Sequence, residues 1–326
     1  MLVIDFSQIA IATITAELRG KDDVEISTDL VRHMLINAVR SYKVRFGKDY
    51  GEVVIAVDSR NYWRKRAFRY YKAGRKKARQ ASTIDWNGIH EAINVLKQEL
   101  TQYFPYPVID VNGAEADDVI ATLAKWSQTN DLKEGLLGEE PRPFLVISGD
   151  HDFQQLQKYA NVSQYVPLLK KIVAVAHPEQ VLIQHIIEGD DGDGVPNFLS
   201  DDDVFVDDAK RQYPIFSKKV QEWIHWSFED IAKGGFVQLN SSYERAKKTA
   251  LKDNKPAPKE PPTVEQLLEN LHRNKELVDL SCIPQELQDE IAQQYEQQRG
   301  NTDRSQILGY MKKMGLVHLL ENIMEF

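Results

Sequence analysis

The sequence predicts an α/β fold: a parallel sheet flanked by helices, followed by a mainly helical C-terminal part. Two observations predict it. Short runs rich in Val and Ile alternate with amphipathic helical patterns through the first half of the chain, which is how buried parallel strands and their crossover helices read. Beyond about residue 185 the alternation stops, and only helical patterns and loops remain.

Taken in order, Leu2–Phe6 is the first strand and holds Asp5 near its end. Thr28–Phe46 places Leu30, Val31, Met34, Leu35, Ala38 and Val39 at helical spacing. Val53–Val57 is a second strand and runs into Asp58. Trp86–Tyr103 repeats the helical pattern with Ile89, Ala92, Ile93, Val95, Leu96 and Leu100. Val108–Val111 is a third strand, Ala116–Trp126 a helix, and Phe144–Ile147 a fourth strand that leads to Asp150. The stretch Lys247–Pro262, with Pro256, Pro258, Pro261 and Pro262, reads as an exposed connection. Helical patterns resume at Val264–Leu271, Gln285–Gln298 and Arg304–Ile323. The expected division is a catalytic domain over 1–185, with a basic segment at about 60–85, and a helical domain over 186–326.

A chain of 326 residues has room for about two domains. Its mean hydropathy of -0.46 and the lack of a long apolar run exclude a membrane-spanning helix. Cys282 is the single cysteine, so no intrachain disulfide forms. The start Met-Leu-Val-Ile-Asp predicts no signal peptide. With a net charge of -8 the bulk chain does not attract nucleic acid. Two local extremes carry the functional reading instead.

The first is acidic. It comprises Asp5, Asp58, the Glu115, Asp117 and Asp118 of Glu-Ala-Asp-Asp, the Asp150 and Asp152 of Ser-Gly-Asp-His-Asp, and Asp190 and Asp193. Clustered carboxylates repel one another and are costly to desolvate, so a folded site keeps them only around positive charge. Oxygen donors without Cys or His favour Mg²⁺, or Mn²⁺, over Zn²⁺. In open α/β sheets, sites lie beyond the carboxyl ends of the strands, where Asp5, Asp58 and Asp150 fall. Glu115 and Asp118, at i and i+3, share one helix face. A single Asp ending a strand is most often a cap, and Glu-Ala-Asp-Asp on its own is a favourable first helical turn; it is the convergence of several acids that argues for a metal site. The run Asp201–Asp203 reads as a solvated loop.

The second extreme is basic. Arg60–Arg79 holds ten of the 41 Lys and Arg residues, no acid, and Tyr62, Trp63, Phe68, Tyr70 and Tyr71. Cations interleaved with rings suit single-stranded nucleic acid, charge for phosphate and rings for bases. A basic amphipathic surface helix is the plainer alternative.

The chain resembles the structure-specific 5′ nuclease (flap endonuclease) family, and within it the bacteriophage ribonuclease H branch. The likeness rests on Ile-Asp-Phe-Ser-Gln-Ile-Ala at 4–10, Tyr-Trp-Arg-Lys-Arg with Tyr-Tyr-Lys-Ala-Gly-Arg at 62–75 and Glu-Ala-Asp-Asp-Val-Ile-Ala at 115–121. Ser-Gly-Asp-His-Asp-Phe at 148–153 and Gly-Asp-Asp-Gly-Asp-Gly-Val at 189–195 complete it. The resemblance implies a 5′ nuclease, PIN-like fold. It implies two metal ions, one held around Asp5, Asp58, Asp117 and Asp150, the other near Asp152, Asp190 and Asp193, with Glu115 and Asp118 in support. It likens the basic segment to a helical arch, with Lys72 beside the scissile phosphate and Arg64, Tyr71, Arg75, Lys76 and Lys77 on the substrate. The implied activity is Mg²⁺-dependent 5′ to 3′ removal of RNA primers and short 5′ flaps during phage replication. The implied partners are DNA, RNA–DNA hybrid and the phage single-stranded DNA-binding protein, met by a monomer in the host bacterial cytoplasm. Asn197–Lys210 lacks the family's Gly-rich hairpin, so no monovalent ion is expected there, and Lys218 and Lys219 are candidates for duplex contacts. An aspartyl-nucleophile phosphatase needs a second Asp where Ser7 stands. A non-catalytic DNA-binding homologue would have lost acids that are all present.

Overall fold

The computed structural model describes residues 1–18, 27–80, 82, 84–136 and 138–326. The chain opens with β1 (Leu2–Asp5), α1 (Phe6–Leu18), α2 (Thr28–Tyr50) and β2 (Val53–Ala56), then the short α3 (Arg64–Ala67) and α4 (Ala73–Gln80). Next come α5 (Trp86–Tyr103), β3 (Val108–Ile109), α6 (Ala116–Asn130), β4 (Leu132–Gly135), β5 (Gly138–Pro141) and β6 (Phe144–Ile147). A 3₁₀ segment, His151–Lys158, leads to β7 (Val162–Val166), β8 (Lys171–Val173) and α7 (Pro178–Glu188). The remainder is helical: α8 (Ser217–Trp223), α9 (Phe228–Lys252), α10 (Val264–Val278), α11 (Gln285–Gln298), α12 (Ile307–Lys313) and α13 (Val317–Leu320).

The six-stranded sheet has the order β3-β2-β1-β6-β7-β8. Its neighbours are parallel except the β7–β8 pair. Every residue of β1, β2 and β6 is buried, as unbroken apolar strands between two helical layers must be. Leu2, Ile4, Val53, Ile55, Leu145 and Ile147 share a core with residues of α1, α2 and α5, while α6 packs on β1, β2 and β6. Caps fix α2: the Ser27 hydroxyl accepts the Leu30 N–H at 3.2 Å, and Gly51 ends the helix at φ 83°.

Two compact units result. The first is Met1–Trp63, Thr83–Pro178 and Ile283–Phe326; the second is Arg64–Ser82 and Glu179–Cys282. This division differs from a single cut at 185. The basic segment from Arg64 belongs to the second unit, and the last stretch returns to the first. The physical reason is apolar surface: Ile307, Tyr310, Met311, Leu316, Leu319 and Phe326 fill the core built by α2 and α5. A buried polar triad joins them. Arg32 donates to both Glu99 oxygens at 2.8 and 2.9 Å, and the Tyr310 hydroxyl donates to Glu99 Oε2 at 2.7 Å.

Three local expectations change. The pattern over Arg304–Ile323 forms two short helices broken around Gly315, at φ 67°. Helix α9 runs through Lys252, so the Pro-rich connection starts later. The hairpins β4–β5 and β7–β8 had no alternating signature to announce them.

Candidate active site

In the first unit, β1 lies between β2 and β6, so the carboxyl ends of three parallel strands stand side by side, about 4.8 Å apart. The chain builds outward from β1 through β2 to β3, then returns to place β6 on the other flank. That reversal is the crevice where doubly wound sheets bind ligands. Asp5 ends β1 and pairs in register with Ala56. Asp58 follows two residues after Ala56, and Asp150 three after Ile147. The sequence expectation for these strand ends is met by the strand order.

Each acid is held by its neighbours. Asp5 is 5% exposed, and its two oxygens accept the Gln8 N–H at 3.1 Å and the Ser148 hydroxyl at 2.9 Å. Asp58 Oδ1 accepts the Ala116 N–H at 2.9 Å, at the N-terminus of α6, where a helix favours negative charge. Asp150 Oδ1 accepts the Asp152 N–H at 2.9 Å, and the Asp150 N–H donates to Ser148 Oγ at 3.1 Å. From β7, the Gln164 amide donates to the Ser148 and Asp150 carbonyls at 3.0 and 2.6 Å. Gln8, Ser148 and Gln164 were not singled out in the sequence. Ser148 lies inside a noted motif, but nothing local marks Gln164.

Burial pushes the Asp5 carboxyl up to about 7, and the charges of Asp58 and Asp150 push the same way. The bonds from Gln8 and Ser148 oppose this and do not overcome it. Such a cluster is short of positive charge. Its all-oxygen donor set fits a hard divalent cation.

The Glu-Ala-Asp-Asp motif divides its labour. Glu115 is the N-cap of α6 rather than a member of its face. Asp118 is fully buried; its Oδ2 accepts the Glu115 N–H at 2.8 Å and the Trp63 indole N–H at 3.2 Å. Asp118 therefore caps the helix and pins a ring. Asp117, in the same first turn, is half-buried, as is Asp152 in the first turn of the 3₁₀ segment.

In the second unit, Asp190 and Asp193 occupy the loop after α7. Asp190 Oδ2 lies 3.4 Å from His185 Nε2, and Asp190 Oδ1 accepts the Asp193 N–H at 2.9 Å. The basic segment is less open than its composition implies. Arg64 is 2% exposed and its Nε donates to the Leu277 carbonyl at 2.8 Å, so it serves the core instead of facing a phosphate. Phe68 and Tyr71 are buried as well, Phe68 beneath the Arg273 guanidinium at 5.3 Å. Most of the rings thus pack and do not wait for bases; Tyr62 and Tyr70 remain half-buried. Lys65, Arg66, Arg69 and Arg75 are exposed. The side chains of Lys76 and Lys77 lie outside the described residues. Lys72 adopts φ 56°, and its Nζ sits 3.4 Å from Asp193 Oδ2. The Asp201–Asp203 run is not simply solvated: Lys210 and Lys259 bind Asp201 at 3.3 and 2.8 Å, Lys210 binds Asp203 at 2.6 Å, and Arg273 pairs with Asp202. Lys219 is paired with Glu222 at 2.9 Å.

Residues 2–185 match the family described as 5′-3′ exonuclease, N-terminal resolvase-like domain, over more than half of the chain. The chain belongs to the 5′-3′ exonuclease family. Residues 263–326 match a second family, the C-terminal region of T4 RNase H. Along nearly its whole length the chain is similar to the ribonuclease H of Enterobacteria phage T4, 31% identical over 331 residues, covering 99% of this chain and 95% of the relative. Among solved structures it resembles the phage T5 5′-exonuclease with bound zinc ions, at TM-score 0.56 and 18% identity, covering 93% of this chain and 99% of that one. A phage T5 flap endonuclease in a pseudo-enzyme-product complex with DNA and metal ions gives TM-score 0.56 at 15% identity, covering 91% and 98%. Both of those structures hold metal ions, and the likeness to them is one of fold.

Proposed function

We propose that this exonuclease-family protein is a Mg²⁺-dependent 5′ to 3′ nuclease that removes RNA primers and short 5′ flaps during phage DNA replication. The observation that carries the proposal is the set of acids at adjacent parallel strand ends, with the Asp5 carboxyl raised by burial and, less, by its acidic neighbours. Asp5, Asp58, Asp117, Asp150 and Asp152 are the residues of the first unit that we assign to hold the cations. A divalent ion bound there supplies Lewis-acid polarisation of the phosphate and a more acidic water. The chain's own residues do the rest. Ser148 and Gln8 fix the direction of the Asp5 carboxylate, and the α6 N-terminus fixes Asp58. Lys72 adds positive charge where the phosphate gains negative charge. The exposed cations of the basic segment hold phosphates.

The substrates are DNA with 5′ ends or flaps and RNA–DNA hybrid; the replication partner is the phage single-stranded DNA-binding protein. Among the described residues no helix is long and apolar enough to cross a membrane. The test is product analysis on 5′-flap, nicked and RNA–DNA hybrid duplexes with Mg²⁺ or EDTA. Cleavage from the 5′ end that EDTA abolishes is expected. No Mg²⁺-dependent cleavage on any 5′-ended duplex would sink the proposal.

A further inference from the structure

The loop that carries Asp193 is built to press on the chain at 70–75. Asp190 and Val195 exchange main-chain hydrogen bonds, both 2.8 Å, which closes the loop on itself. Gly194 sits at φ 71°, and a Cβ there would lie 3.1 Å from the Tyr70 carbonyl oxygen, so glycine makes the approach without the strain and crowding that a side chain would bring. From this platform one residue holds three. The Asp193 carbonyl accepts the Lys72 N–H at 2.7 Å. Its Oδ2 accepts the Tyr71 hydroxyl at 2.6 Å and lies 3.4 Å from Lys72 Nζ. Its Oδ1 takes the Arg75 guanidinium, whose Nε also donates to the Gly192 carbonyl at 3.0 Å. Lys72, at φ 56°, adopts a left-handed conformation that a side chain with Cβ rarely takes. It stands one residue before α4.

We propose that Asp193 is a positioning residue that holds the left-handed turn at Lys72, and with it the start of α4, rather than a metal ligand. A carboxylate offers about four lone-pair sites, and Tyr71, Lys72 and Arg75 draw on both of its oxygens. Two cations at one carboxylate also weaken its attraction for a further cation. Asp190, which faces His185 at 3.4 Å, is the second-unit acid left for metal. The proposal rests on the nuclease reading for its purpose, because Lys72 is the residue given to the phosphate. Its geometry is measurable without catalysis.

The experiment compares full-length wild type with Asp193→Ala, Asp193→Asn and the milder Tyr71→Phe, free of metal and DNA. Limited trypsin digestion is quantified by mass spectrometry at Lys72 and Arg75, with circular dichroism as the fold control. Loss of the clamp should raise cutting at these two sites about tenfold in Asp193→Ala, and less in Tyr71→Phe, with other sites unchanged, since local opening governs cleavage. Mn²⁺ alone is then titrated by water-proton relaxation. Asp193→Ala keeps the wild-type midpoint, whereas Asp150→Asn loses it. Unchanged cutting at Lys72 and Arg75, or a Mn²⁺ midpoint displaced as far as in Asp150→Asn, overturns the proposal. If Asp193→Ala does not fold, Asp193→Asn and Tyr71→Phe decide by the same readouts. Failure of flap cleavage in the wild type strikes the nuclease reading and leaves the trypsin result to stand on its own.

Discussion

Asp150 and Asp117 differ from Asp118 although all three are acids in recognised motifs. Asp150→Asn or Asp117→Asn should abolish cleavage, because an amide is a poor ligand for a hard cation. Flap-DNA affinity in EDTA should hold or rise, since one negative charge near phosphate is gone; wild-type turnover by either variant would remove that residue from the site. Asp118→Ala should act on stability instead. It deletes the acceptor of the Glu115 N–H and of the buried Trp63 indole, a loss of about 3 kcal/mol, read as a lower Tm in EDTA. Lys72→Ala is expected to lower the single-turnover rate strongly with little change in binding; a loss confined to affinity would demote it to a phosphate contact. The strand-end acids were legible because an apolar run has a definite end and the fold class says what lies beyond it. Arg64, Phe68 and Tyr71 were not. Rings among cations have one composition whether they stack on bases or pack, and their partners Leu277, Arg273 and Asp193 are distant in sequence.

At the scale of elements, the basic segment becomes two short helices with a left-handed residue between them. Its exposed cations and buried rings predict strong salt dependence without much base preference. Replacing Lys65, Arg66 and Arg69 together by Ala should reduce the slope of log affinity against log salt by about 2 to 3 units, close to one per phosphate contact. An unchanged slope would mean that these side chains touch no phosphate. The long helices were readable from period alone, as α2 and α5 show. The short β7–β8 hairpin and the helices flanking Gly315 were not, because elements of three to seven residues carry too little periodicity to separate strand from helix or to mark a break.

For the whole chain, the return of Ile283–Phe326 to the first unit makes the end of the sequence part of the sheet's packing. Phe326→Ala should cost about 3 to 5 kcal/mol, as large-to-small changes in a filled core do. Tyr310→Phe should cost about 2 kcal/mol by removing a hydrogen bond to the buried Glu99 carboxylate. Both are read by thermal or urea unfolding, and a Tm within a degree of wild type for Phe326→Ala would contradict the packing described. Nothing shorter than the intact chain predicts this, since periodicity marks a helix and not its destination. The same packing has a thermodynamic consequence. Asp5, Asp58 and Asp150 stand on strands whose covering helices α2 and α5 share one core with residues of Ile283–Phe326. A lesion at Phe326, remote in sequence from every acid, should therefore loosen the scaffold of the strand ends as well as lower the melting temperature.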